Sequence, residues 1–67
     1  MKIFAERLKA LRAEKGISLM TLAKAIDTSD SSIFRWENDQ NEITAPLLAR
    51  IAKYFDVTAD YLLGLED

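Results

Sequence analysis

A chain of 67 residues with no cysteine and no histidine makes one small domain, residues 1–67, near the size at which a single core yields only a few kcal/mol of net stability. The composition excludes disulfides, the usual zinc-finger ligands, thiol nucleophiles and the commonest general base, so neither an enzyme nor a cofactor is expected. Nine lysines and arginines against eleven aspartates and glutamates give a formal net charge of -2, an acidic balance that opposes non-specific attraction to phosphate.

Phe4, Leu8 and Leu11 follow the four-then-three spacing of one helical face, predicting a first helix over about residues 2–14. Gly16 stands where a left-handed residue closes a helix. Lys2, Arg7, Lys9, Arg12 and Lys15 make this segment basic, and a solvated face accounts for most of them. Leu19, Leu22, Ala23 and Ile26 mark a second helix over about 19–26, capped by Ser18 and followed by Asp27, which tolerates the left-handed conformation of a sharp turn. Ser29 caps a third helix, about 29–37, that buries Ile33 and Trp36 on one face and leaves Asp30, Ser31, Phe34 and Arg35 on the other. Two short helices joined by a turn of about three or four residues, the second opening on small polar side chains, form a helix-turn-helix. That motif points to DNA.

The loop that follows carries Asp39, Gln40, Asn41 and Glu42. Thr44 precedes Ala45 and Pro46, and proline is accepted in a first turn because the donor it lacks has no partner there. Leu48, Ile51, Ala52 and Phe55 give the buried stripe of a fourth helix, about 45–55, and Thr58 caps a fifth, about 59–63, that Gly64 ends. Tyr61, Leu62, Leu63 and Leu65 are more apolar than so short a helix needs for one face, so a second copy is expected to cover some of that surface, at Tyr61, Leu62 and Leu65; the alternative is that these residues close the monomer's own core. No apolar run approaches the roughly 18 residues that span a bilayer, and Met1 to Glu6 lacks the apolar core of a secretory signal. A soluble, cytoplasmic protein with no membrane partner is expected.

Taken together, RLKALRAEKGISL, LAKAIDTSDSSIFRWEN and LLARIAKYFDVTADYLLG resemble the phage repressor and Cro family of helix-turn-helix proteins, the lambda repressor-like domains that include XRE-type bacterial regulators. The resemblance covers nearly the whole chain. It implies an all-α, compact five-helix domain whose third helix lies in the major groove of double-stranded DNA. It further implies a homodimer, at least on DNA, over an inverted-repeat operator with half-sites about one helical turn apart. Position by position, it sets Asp30, Ser31, Phe34 and Arg35 against bases. The Arg35 guanidinium suits O6 and N7 of guanine, Asp30 suits cytosine N4, Phe34 a thymine methyl, and Ser31 a base or a phosphate. Ser18, Lys24, Ser32, Asn38, Gln40 and Asn41 match positions that contact the DNA backbone. Arg12 and Glu37 match a partly buried ion pair that ties the reading helix to the first helix.

Three departures from the family pattern bear on affinity. Leu19 stands where many relatives carry a phosphate-bonding glutamine, Asp27 where they carry the glycine of the turn, and Asp39 to Glu42 where basic residues commonly grip the backbone. Weaker or more salt-sensitive binding to a half-site follows, offset by dimerisation or a partner. The expected function is transcriptional regulation, foremost as a phage or prophage-type repressor. The alternative is a protein-interaction module on the same fold, an antitoxin or anti-repressor, whose acidic loop meets a basic protein.

Overall fold

Local signals in the chain open and close most of its helices. The computed structural model describes residues 1–67 and holds α1 (Lys2–Lys15), α2 (Leu19–Ile26), α3 (Asp30–Glu37), α4 (Ala45–Phe55) and α5 (Ala59–Leu63). α1 stops at Gly16, whose φ of 68° lets its N–H reach back to the carbonyls of Arg12 and Ala13. Ser18 accepts the Thr21 N–H at 3.0 Å and Ser29 accepts the Ser32 N–H at 3.2 Å, satisfying donors that a first helical turn leaves free. Thr58 does the same for α5 through Tyr61. Thr44 makes no side-chain cap, and α4 opens instead with Pro46 in its first turn. Two ends differ by one residue from the sequence reading: α1 continues to Lys15, and Ser29 lies outside α3 as its cap.

Asp27 ends α2 with φ 59°, the left-handed conformation expected of it, and Asp39 and Asp56 adopt the same conformation at 55° each. Three turns that glycine would fill at lower steric cost are thus made by aspartate, whose short polar side chain is among the few that tolerate them.

Leu8, Leu22, Ile26, Ile33, Ile51 and Leu62 are fully enclosed, with Phe4, Ala23 and Trp36 beside them. Every helix supplies at least one of these side chains. Each fully buried aliphatic residue contributes about 1.5–3 kcal/mol relative to its exposed state. That burial is what sustains α2 and α3, each 8 residues long and too short to persist alone. No helix is long and apolar enough to cross a membrane.

Leu62 corrects the expectation of a dimer surface. α5 packs on α1 and α4 and turns Leu62 into the core, where it is 0% exposed, so it lies beneath the surface of the monomer. Tyr61 is half-buried, with the Arg7 guanidinium 4.2 Å above its ring. Arg7 also donates to the Tyr61 carbonyl and, at 2.7 Å, to the Glu66 carbonyl, while the Thr58 hydroxyl donates to the Glu66 carboxylate. These bonds fix the segment after α5 against α1. Leu65 alone of the three expected interface residues stands well out in solvent, 72% exposed.

Candidate nucleic-acid interface

α2, the turn at Asp27, Thr28 and Ser29, and α3 form the helix-turn-helix. Ile33 and Trp36 point into the core, which sends the opposite face of α3 outward. Asp30, Ser31, Phe34 and Arg35 are all exposed there. They line one open hollow of about 460 Å³, which Leu19 of α2 and Gln40 of the loop after α3 complete. Phe34 is 53% exposed, a large aromatic surface left in water on the face that carries the polar groups. The four base-facing residues of the sequence analysis are therefore brought together. Leu19 and Gln40 join them: Leu19 is half-buried at the rim, and Gln40, whose position matches a contact to the DNA backbone, lines the hollow as well.

Behind the hollow, α3 is tied to the rest of the fold. Arg12 donates from Nε to Glu37 Oε2 at 2.6 Å and from Nη2 to Glu37 Oε1 at 3.0 Å, a two-pronged pair, and a third donor, Nη1, reaches the Ile17 carbonyl at 3.0 Å. One guanidinium thereby joins α1, the α1–α2 link and the last residue of α3. Glu37 is the one buried charged residue. Its hydrogen bond raises the pKa of Arg12 above the ordinary arginine value, outweighing the opposite effect of burial. At the same end of α3, the Asn38 side-chain amide donates to the Phe34 carbonyl at 2.7 Å and the Gln40 N–H to the Arg35 carbonyl at 2.8 Å. These bonds satisfy carbonyls that a helix end leaves open and bring Gln40 to the hollow.

The residues matched to the DNA backbone fall around this rim, with some of their atoms already occupied. Ser18 accepts from the Thr21 N–H and donates its own proton to Thr21 Oγ1 at 3.0 Å. Thr21, exposed at the same corner, is left with a hydroxyl proton to offer outward, a role the sequence analysis did not assign. The signal for it was the spacing of Ser18 and Thr21 across the first turn of α2. Ser32 is half-buried and its hydroxyl is 2.9 Å from that of Ser29. Lys24 and Asn41 are exposed, and Asn38 keeps its side-chain carbonyl free of the cap bond. Asp39 is paired with the terminal ammonium of Met1, whereas Asp27 and Glu42 have no ion-pair partner. The acidic character of this rim is thus partly neutralised within the chain.

Residues 8–62 match a helix-turn-helix family model. The chain is 46% identical over 61 residues to the HTH-type transcriptional regulator PrpR of Mycobacterium tuberculosis, covering 91% of this chain and 13% of that protein. It is 34% identical over 64 residues to the HTH-type transcriptional activator BcrR of Enterococcus faecalis, covering 96% and 31%. To the uncharacterized HTH-type transcriptional regulator YobD of Bacillus subtilis it is 31% identical over 65 residues, covering 97% and 58%. The chain therefore spans between about an eighth and just over half of the length of these relatives. Its fold superimposes on the P22 c2 repressor, solved in complex with a synthetic operator, with a TM-score of 0.87 and 27% identity over 92% of this chain and 94% of that one.

Proposed function

Because this chain belongs to the helix-turn-helix family, we propose that it is a sequence-specific reader of double-stranded DNA in a transcriptional regulator, a phage or prophage-type repressor in its simplest form. The family and the fold are those of transcription-regulator domains, not of enzymes. The observation that carries the reading is the single hollow that presents Asp30, Ser31, Phe34 and Arg35 together on a helix pinned from behind by the Arg12–Glu37 pair. α3 enters the major groove with this face. Arg35 takes guanine O6 and N7 with its fork of donors, and no other base edge offers two acceptors in that geometry. Lys24, Thr21, Asn38, Gln40 and Asn41 border the groove and set the register on phosphates, as do the amides that open α2 and α3 beside Ser18 and Ser32. Two copies bind an inverted repeat, meeting through the end of the molecule that carries Leu65 and the open edge of Tyr61.

The test is selection of random duplexes at low salt, followed by fluorescence-anisotropy titration of the enriched sequence at two salt concentrations. An inverted repeat with half-site centres about ten base pairs apart supports the reading. Arg35→Ala is expected to erase preference at one base pair, at a cost of about 1–3 kcal/mol. No enrichment, with only weak salt-labile binding, sinks it in favour of a protein-binding module.

A further inference from the structure

Resting on the DNA-reading assignment of the same hollow, we infer that Asp30 and Phe34 together read a single pyrimidine, and that the base they fit best is 5-methylcytosine. The two residues are four apart on α3, are both exposed, and line the same hollow. Side chains at that spacing have Cβ atoms about 5–6 Å apart and lie one above the other on one face. In the major groove the 4-substituent and the 5-substituent of a pyrimidine sit on neighbouring ring atoms, within the span of such a pair. The Asp30 carboxylate only accepts hydrogen bonds. It therefore matches the N4 amino group of cytosine and opposes the O4 acceptor of thymine.

Phe34 makes the contrary demand. Phe34 is 53% exposed and lines the same hollow as Leu19, and these two apolar side chains, with no donor or acceptor of their own, offer the kind of surface that takes a pyrimidine methyl group. Cytosine satisfies Asp30 and leaves Phe34 facing a bare C5–H. Thymine satisfies Phe34 and sets O4 against the carboxylate. A cytosine methylated at C5 presents an amino donor beside a methyl group and satisfies both. The domain thus senses cytosine methylation within its site, binding the methylated duplex more tightly. The gain is about fourfold per methyl group, the factor equivalent to about 0.8 kcal/mol for one buried CH₂.

The experiment crosses the two ring substituents. Starting from the selected site, the cytosine whose identity depends on Asp30 is replaced in turn by 5-methylcytosine, thymine and uracil, and affinity is measured by anisotropy. The expected result is two separable effects: about a fourfold gain from the methyl group, and a preference of about tenfold for the amino over the carbonyl at position 4. Phe34→Ala removes the first and keeps the second, and Asp30→Asn removes the second and keeps the first. Both side chains are exposed, and unchanged thermal melts show that each variant folds. Three outcomes overturn the inference while leaving sequence-specific binding intact: no response to methylation, a methyl response at a base other than the Asp30-dependent one, or a selected site with no cytosine that depends on Asp30. If no duplex is bound selectively, the DNA-reading assignment fails and this inference fails with it.

Discussion

At the residue scale the most consequential group is Glu37, a carboxylate buried at the end of α3 and paired through two hydrogen bonds with Arg12. Glu37→Gln keeps the shape and removes the charge. The Glu37 side chain is 4% exposed and that of Arg12 22%, so water reaches the guanidinium and the loss falls below the 3–5 kcal/mol of a wholly buried pair. A cost of about 2–3 kcal/mol is expected, seen as a fall of about 10 °C or more in a circular-dichroism melt. Replacing Arg12 by Met and Glu37 by Leu together should recover most of it, since no charge is then left without a partner. The raised pKa of Arg12 makes its contribution fully present below the unfolded value and lost only as pH rises through the folded one, far above neutrality. The guanidinium therefore adds no pH dependence of its own to the melt between about pH 6 and pH 9. Asp27 gives a second residue-scale prediction. Glycine at its φ of 59° relieves a steric cost but adds freedom to the unfolded chain, so Asp27→Gly should change stability by less than about 1 kcal/mol. Its exposed carboxylate is lost from the helix-turn-helix turn, and affinity for DNA should rise at low salt, the gain shrinking as salt screens it. Anisotropy titrations at two salt concentrations check this, and an equal gain at both would locate the effect elsewhere.

At the scale of elements, the packing of α5 on α1 depends on a residue without a side chain. A Cβ at Gly64 would lie 2.9 Å from Ile3 Cγ2, and the backbone there has φ 79°. Gly64→Ala therefore carries both a left-handed penalty and a clash, together about 2 kcal/mol or more. Ile3→Ala in the same chain relieves the clash alone, so a double-mutant cycle should show coupling between the two positions; strict additivity would mean that the contact is unimportant. This junction marks the limit of what the sequence disclosed. The order of the helices was legible because Ser18, Ser29, Thr58, Gly16 and Gly64 act on their own turns, and because Ile33 and Trp36 repeat at helical spacing. The outward face of α3 follows from that same spacing. What depends on distant partners was not legible. Leu62 is in the core because α1 and α4 enclose it, and Gln40 meets the hollow because its N–H folds the loop back onto the Arg35 carbonyl. Neither contact leaves a periodic or capping signal near the residue itself.

For the whole molecule, size and charge jointly constrain how DNA is bound. The domain's principal-axis extents are 28 × 23 × 21 Å, less than the roughly 34–36 Å that separates half-site centres one helical turn apart. On the proposed inverted repeat, one copy of this domain would cover one half-site, with a net charge of -2 that gives it little general attraction to phosphate. A second copy is the natural source of further affinity, because linked half-sites turn the second binding event into an intramolecular one. In the proposed dimer, the surface open to a second copy is at the α5 end. There Leu65 is 72% exposed and Ile3, against Gly64, is 49% exposed, while Arg7 and Thr58 hold the segment that carries Leu65 in place. Leu65→Glu introduces a charge at the centre of that surface without touching the core or α3. Its melt and its affinity for a duplex with one half-site should match the parent. Its affinity for the inverted repeat should lose the cooperative part, so that the ratio of the two affinities falls by tenfold or more, about 1.4 kcal/mol. An unchanged ratio would mean that the copies do not meet through Leu65, and an equal fall on both duplexes would show that the substitution disturbs the reading face instead.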